Sequence, residues 1–234
     1  MDVVALLPRR RLLRFPVGQA YLWRDGEALT LIDAGPAGSA AAIAEAVRGA
    51  GPVRRVVLTH FHEDHVGGAG ECAARSGAEV LVHRLDAPVV RGEVPGPPPV
   101  LEDRERPIHE AALALLPAGG FPRPARVTEL SGGDVLDFGG GAHVVHVPGH
   151  TPGSIALRLP RHGVLFTGDA VAASPADGGV LPGVFRLDRD RAVASFRRLT
   201  ELDPDVACFG HGDPVTGGAS AALRAAAARY GVAP

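Results

Sequence analysis

Residues 53–68 read Val-Arg-Arg-Val-Val-Leu-Thr-His-Phe-His-Glu-Asp-His-Val-Gly-Gly, a strand-like run followed at once by three histidines and two acids in six positions. Any fold this chain adopts must place that density of imidazole and carboxylate where it is tolerated. Val53–Leu58 is rich in β-branched and aliphatic residues, so it reads as a strand, and the histidines fall in the turn after it. In α/β folds, ligand sites form at such C-terminal strand ends. His60 and His62 flank Phe61, so an extended backbone aims both imidazoles to one side. The turn at Asp64-His65 then aims a second pair at a neighbouring point. Two adjacent metal ions are the natural reading. A solvated polar turn would set repelling imidazolium groups side by side at acid pH and gives no reason for the clustering.

Similar β-like runs recur along the chain at Val3–Leu7, Ala20–Trp23, Leu29–Ile32 and Glu79–Val82, each bounded by Gly, Pro or charged residues. Helical patterns alternate with them: Ala40 to Val47 with Ser39 as N-cap and Gly49 as stop, and a second helix between Gly68 and Gly77. Pro95, Pro97, Pro98 and Pro99 exclude regular structure from the start of a 92–125 insertion, in which Ile108–Leu116 forms a short helix. Beyond it the order repeats, with strands at Ala125–Leu130, His143–Val147, Ile155–Leu159, Val164–Phe166 and Val206–Phe209. A helix from Arg189 to Glu201 is capped by Asp188, and an Ala-rich helix from Ala219 to Tyr230 ends at Gly231. Two β-then-α halves suggest two sheets facing each other with helices outside, although periodicity alone supports only a mixed α/β class.

The 234 residues, nearly half of them apolar, are enough for a real core, and we read residues 1–234 as one domain carrying the insertion. A formal charge of −2 without long single-sign runs excludes a disordered chain and offers no nucleic-acid surface. The expected partner is a small molecule; oligomeric state is not visible. Arg9, Arg10, Arg11 and Arg14 read as a solvated hairpin face without function. Cys72 and Cys208 are too few for a disulfide framework and match no zinc or redox spacing, so they read as buried apolar residues. Neither a signal peptide nor a run of about 20 apolar residues is present, which gives the expectation of a cytoplasmic chain without membrane insertion.

A site with roughly four or five protein ligands per metal needs donors from elsewhere. His150 lies in Val-Pro-Gly-His-Thr-Pro-Gly-Ser (147–154), Asp169 in Leu-Phe-Thr-Gly-Asp-Ala (165–170) and His211 in Cys-Phe-Gly-His-Gly (208–212). All three follow a strand and sit beside glycines that allow close backbone approach. His83, His109, His143, His146 and His162 lack that setting and read as ordinary polar side chains. His143 and His146 would also face opposite sides of a strand.

Taken together and in order, His-x-His-x-Asp-His at 60–65, Gly-His-Thr-Pro-Gly at 149–153, Gly-Asp at 168–169 and Gly-His-Gly at 210–212 resemble the metallo-β-lactamase superfamily of hydrolases. Leu-Ile-Asp-Ala-Gly at 31–35 resembles that family's early Asp-x-Gly, so the resemblance runs from about residue 18 to 217. It implies a four-layer αβ/βα sandwich with two facing mixed sheets, helices outside and two metals along one edge. Carried over residue by residue, it implies that His60, His62 and His150 hold one ion and Asp64, His65 and His211 the other, with Asp169 bridging them. Two divalent ions follow, zinc first, with iron or manganese compatible with the same donors. A metal-bridging hydroxide would attack a carbonyl carbon, with Asp64 orienting it. Asp33 would stand behind the ligands or fix its loop, although a strand-ending turn Asp accounts for it nearly as well. Thr59 and Thr167 are given no role.

Departures from individual branches narrow the expectation. His62 stands where the flavodiiron oxidases have Glu, and Asp169 is the bridging acid that true β-lactamases lack. Ala172 replaces the Tyr often found in N-acyl-homoserine lactonases of this fold. Only 23 residues follow His211, too few for the helical domain that binds glutathione in the best-known glyoxalase II-like thioesterases. The expected activity is dinuclear metal-dependent hydrolysis of a carbonyl ester, thioester or lactone of a small molecule. The rivals are a mononuclear iron oxidoreductase resembling persulfide dioxygenases and a metal-binding module without catalysis. Specificity would come from the 92–125 insertion and from Ala172–Arg186, read as lid segments.

Overall fold

The first strands form from short apolar runs between tight turns, and their burial is continuous rather than alternating: Leu12 and Leu13 are both buried, as is the whole run Gln19–Trp23. The computed structural model describes residues 1–7 and 10–231; Arg9 of the basic cluster lies outside the described residues. Internal contacts divide the chain into two compact units, Met1–Gly96 with Arg106–Leu130, and Pro97–Glu105 with Ser131–Pro234.

The first unit is built on a seven-stranded sheet whose strands lie in sequence order: β1 (Asp2–Leu7), β2 (Arg10–Arg14), β3 (Gln19–Asp25), β4 (Ala28–Ile32), β5 (Val53–Val57), β6 (Glu79–His83) and β7 (Thr128–Leu130). Hairpins join β1 to β4 antiparallel, and β4 to β7 pair parallel. Parallel pairing needs crossovers. Helix α1 (Ala40–Ala46) supplies the first, and a short α2 (Glu63–Val66) followed by α3 (Ala69–Ser76) supplies the second. Leu31, Val56 and Val80 share one cross-strand row and Ile32, Val57 and Leu81 the next, all buried. These rows hold the C-terminal end of β5 rigid, and the histidine turn leaves from that end.

Strand β2 lies within the basic cluster. Its Leu12 and Leu13 are buried, while the Arg10 guanidinium lies 4.8 Å from the centroid of the buried Trp23 ring. Ser39 occupies the position before α1 but has helical backbone angles and makes no side-chain cap bond. Its N–H is instead engaged by Pro36 O in the preceding turn. A further short helix, α4 (Ala87–Arg91), follows β6. Helix α5 (Arg106–Ala114) starts two residues before the expected Ile108, because a proline in a first turn removes a donor that would have no helical partner. It ends earlier too, its last bonds tightening to Leu115 N to Ala112 O and Leu116 N to Leu113 O.

The second unit carries a five-stranded sheet. Its strands are β8 (Val135–Leu136), β9 (Ala142–His146), β10 (Ile155–Leu159), β11 (Val164–Phe166) and β14 (Val206–Cys208), in the order β14-β11-β10-β9-β8. All pairs are antiparallel except β11 with β14. The crossover between those two passes through a separate hairpin, β12 (Val171–Ala173) with β13 (Val180–Pro182), and helix α6 (Arg189–Thr200). With α7 (Ala219–Arg229), α6 closes a core of Val145, Val147, Leu165, Phe196, Leu199, Phe209 and Leu223. Asp188 caps α6 as its sequence position predicts, accepting the Arg191 N–H at 3.0 Å. Among the described residues, no helix is long and apolar enough to cross a membrane. Both cysteines are free and buried.

Candidate metal centre

In the first unit the donor groups are assembled by one turn. His62 is extended (φ −65°, ψ 145°), so His60 and His62 flank Phe61 and fall side by side, with ring centroids 4.8 Å apart. Asp64 and His65 lie in α2 rather than in the irregular turn expected, because the chain turns helical directly after His62. The second pair is thus aimed by a helical backbone. Ligand atoms of His60 and His62, of His60 and His65, and of Asp64 and His65 each come within 4.8 Å. Glu63, between them, makes no contribution to these groups; burial raises its carboxyl above the ordinary range, opposed by Arg123.

Behind this turn stands Asp33, buried and in the left-handed region at φ 58°. Its Oδ1 accepts Thr59 N–H at 2.7 Å, and its Oδ2 accepts both the Thr59 hydroxyl at 2.8 Å and His65 Nδ1 at 2.9 Å. A carboxylate can only accept here, so His65 carries a proton on Nδ1, and in the neutral imidazole Nε2 is then the lone pair. Thr59 spends its single hydroxyl hydrogen on Asp33, so its Oγ1 accepts from His60 Nδ1 at 3.0 Å. His60 is thereby fixed in the same tautomer. Of the two readings of Asp33, the one that places it behind the ligands fits this geometry. Thr59, given no role from sequence, is the relay; Thr167 instead donates to backbone carbonyls, including Gly168 O at 2.9 Å.

The second unit assembles the other three donors from three strand ends. His150 follows β9 in a turn where Gly149 has φ 133°, and a Cβ there would lie 2.2 Å from Ala192 N of α6. Only glycine admits the helix that closely. His150 Nδ1 donates to Val184 O at 2.9 Å, again leaving Nε2 as the donor atom. Asp169, in a 3-10 turn after β11, sets its Oδ2 3.5 Å from His150 Nε2 and 3.3 Å from His211 Nε2. One carboxylate oxygen thus faces two imidazole nitrogens. In the first unit, His65 Nε2 and Asp64 Oδ2 are likewise 3.3 Å apart.

These separations carry chemical information. Charge-assisted N–H···O bonds run at about 2.7–2.9 Å, and His65 and His150 already commit their protons at Nδ1. Two ligand atoms bound at about 2.1 Å to one tetrahedral ion lie about 3.4 Å from each other. The imidazole and carboxylate donors suit zinc, iron or manganese. The seven residues expected from sequence therefore form two groups, His60, His62, Asp64 and His65 in one unit and His150, Asp169 and His211 in the other. The five histidines set aside do not join them: His83 accepts Leu85 N–H and His146 donates to Pro152 O at 2.8 Å, for example. The carbonyl of Val184 was not foreseeable, since a backbone acceptor leaves no mark on residue type.

Comparison with known proteins gives a consistent picture. The family model described as the metallo-beta-lactamase superfamily matches residues 13–211. The chain is similar to the probable metallo-hydrolase YflN of Bacillus subtilis (strain 168), 30% identical over 213 residues, covering 82% of this chain and 78% of that one. It is also similar to a hydroxyacylglutathione hydrolase of Cereibacter sphaeroides (strain ATCC 17029 / ATH 2.4.9), 31% identical over 162 residues, covering 67% of this chain but only 48% of that relative. Among solved structures, TTHA1623 in a di-iron-bound form superposes with a TM-score of 0.65 at 29% identity, covering 89% of this chain and 95% of that one.

Proposed function

The chain belongs to the metallo-beta-lactamase superfamily and has its α/β fold, and from that premise we propose that it is a dinuclear metal-dependent hydrolase cleaving a carbonyl ester, thioester or lactone of a small molecule. The observation that carries this reading is the spacing of the donor atoms: Asp169 Oδ2 at 3.5 and 3.3 Å from two histidine Nε2 atoms, and Asp64 Oδ2 at 3.3 Å from a third. In the proposal His60, His62 and His150 would hold one ion, Asp64, His65 and His211 the other, and Asp169 would contribute to both. Bound there, two divalent ions supply an activated water and a Lewis acid. Zinc is the first expectation, and the di-iron-bound relative supports iron as a second.

The chain's own residues do the rest of the work in this scheme. Asp33 and Thr59 keep His60 and His65 protonated at Nδ1, and Val184 does the same for His150, so in all three neutral imidazoles Nε2 is the atom left to bind a metal. Asp64, part-exposed beside His65, would also orient the attacking water. The relative named hydroxyacylglutathione hydrolase supports acyl transfer to water as the reaction class. Its own substrate is not carried over, because this chain spans about half of that protein.

Metal content per chain, measured by inductively coupled plasma mass spectrometry on protein purified without added metals or chelators, tests the proposal. Two equivalents of zinc, iron or manganese are expected. Turnover of esters, thioesters or lactones should be abolished in Asp169→Asn and His60→Ala while the fold persists. One equivalent of iron with oxygen uptake on glutathione persulfide would overturn the hydrolase reading in favour of the oxygenase. Fully loaded protein inert across the whole ester, thioester and lactone panel would leave a metal-binding module.

A further inference from the structure

The loop from Gly183 to Asp188 touches both donors that the β9 and β11 ends bring together. Gly183 N donates to Ala170 O at 3.2 Å, and a Cβ at Gly183 would lie 1.7 Å from Asp169 O, so the loop backbone lies directly against the Asp169 peptide. Val184 O accepts His150 Nδ1, while Leu187 N and Asp188 N both donate to Gly149 O at 2.9 Å. Between these contacts Phe185 has φ 56°, a conformation that a bulky residue keeps only where its surroundings impose it.

Arg186 is what anchors this loop from the other side. Its carbonyl accepts Val100 N–H at 3.0 Å, and its Nη2 lies 3.0 Å from Glu102 Oε1 and 3.5 Å from Glu105 Oε1. The Glu105 side chain is 3% exposed, that of Arg186 13% and that of Glu102 33%, so one guanidinium nitrogen joins a buried carboxylate to a half-buried one. Glu105 is itself fixed, its Oε2 accepting Glu102 N–H at 2.9 Å. Sequence alone shows none of this, because the partners stand 81 and 84 positions apart.

We propose that Arg186, held by Glu102 and Glu105 in the segment Pro97–Glu105, is a positioning residue for the His150–Asp169 donor pair. The segment acts as a brace: it fixes Arg186, Arg186 fixes the loop, and the loop sets the His150 tautomer and the Asp169 backbone. The inference rests on the metal-binding role of His150 proposed above. Partners that orient a metal-ligating histidine typically govern affinity by 10- to 100-fold, and the ammonium of a lysine, on a shorter and more mobile stem, replaces a guanidinium only in part.

The test is zinc affinity of the full chain by competition with a chromophoric chelator, with thermal melting followed in parallel. Arg186→Ala should weaken zinc binding at least tenfold, Arg186→Lys should restore part of it, and Glu105→Gln should fall between. Asp203→Ala removes a part-buried contact to Ser220 and an exposed one to Arg224, and should change melting without changing affinity. His150→Ala should abolish tight binding at one ion. If Arg186→Ala binds within twofold of wild type while His150→Ala does not, the brace is refuted and the metal site stands. If His150→Ala binds as wild type does, the metal reading fails, and the brace with it. Should Arg186→Ala not fold, Glu102→Gln, which leaves the Glu105 contact in place, is held to the same twofold criterion.

Discussion

Asp33 is a single carboxylate that accepts three hydrogen bonds and sets the proton position of two histidines. Replacing it with Asn keeps one acceptor oxygen but turns an NH2 toward groups that themselves donate. We expect Asp33→Asn to lower metal affinity by about 10- to 100-fold, with a modest loss of stability. Metal titration beside thermal melting checks this; unchanged affinity would reduce Asp33 to a loop-fixing group. Legibility at this scale was uneven for a physical reason. His60, His62, Asp64 and His65 stand out by density and His150, Asp169 and His211 by their glycine flanks, but Thr59 draws its role from a hydroxyl pointing at Asp33, and threonine is common at strand ends. Cys72 offers a second residue-scale test. Burial pushes its thiol up to about 12, so the folded chain keeps a proton that the unfolded chain begins to lose near the ordinary thiol range. The stabilising contribution is therefore fully present below about pH 9 and declines above it, by roughly 1 kcal/mol per pH unit. Urea midpoints of wild type and Cys72→Ala between pH 8 and 11 should show the steeper alkaline loss in wild type; parallel slopes would contradict it.

At the level of elements, the best-read segments are those where pattern and punctuation agree. Ile155–Leu159 and Val164–Phe166 match the observed strands end to end, and α3 ends at Gly77, which takes the left-handed conformation a helix stop requires. Strand β2 was harder to read because the arginines around Leu12 and Leu13 hide its two buried residues. The β12–β13 hairpin reads as loop because Gly178, Gly179 and Pro182 dominate its composition, whereas its pairing is supplied by Val171 opposite Pro182 and Ala173 opposite Val180. The cap of α6 was legible, and it is testable. Asp188→Ala leaves the Arg191 N–H without its side-chain acceptor and should cost about 1 kcal/mol, measured by urea unfolding. Asp188→Asn should recover most of that loss, since an amide oxygen still accepts the bond.

For the molecule as a whole, the family was legible because its motifs survive in order along residues that a single family model spans, 13–211. What order could not supply is the support behind the motifs: Val184 O, Arg186 and Glu105 act through backbone atoms and through pairings 81 to 84 positions apart. The donor groups also bear on global stability. Asp169 sets one oxygen between two imidazoles, and His65 and Asp64 face each other at 3.3 Å. An ion that binds these native arrangements and not the unfolded chain adds RT ln(1 + [L]/Kd), about 2.7 kcal/mol at a free concentration 100 times the dissociation constant. For a chain of this length, each kcal/mol corresponds to roughly 2–4 °C in Tm. Stripping metal with a chelator should therefore lower Tm by about 5–10 °C, and adding zinc back should raise it progressively with concentration. Differential scanning calorimetry on chelated and reloaded protein reads this directly. A Tm indifferent to both treatments would mean that the donor groups hold no ion in the native state, whatever the metal content measured on purification.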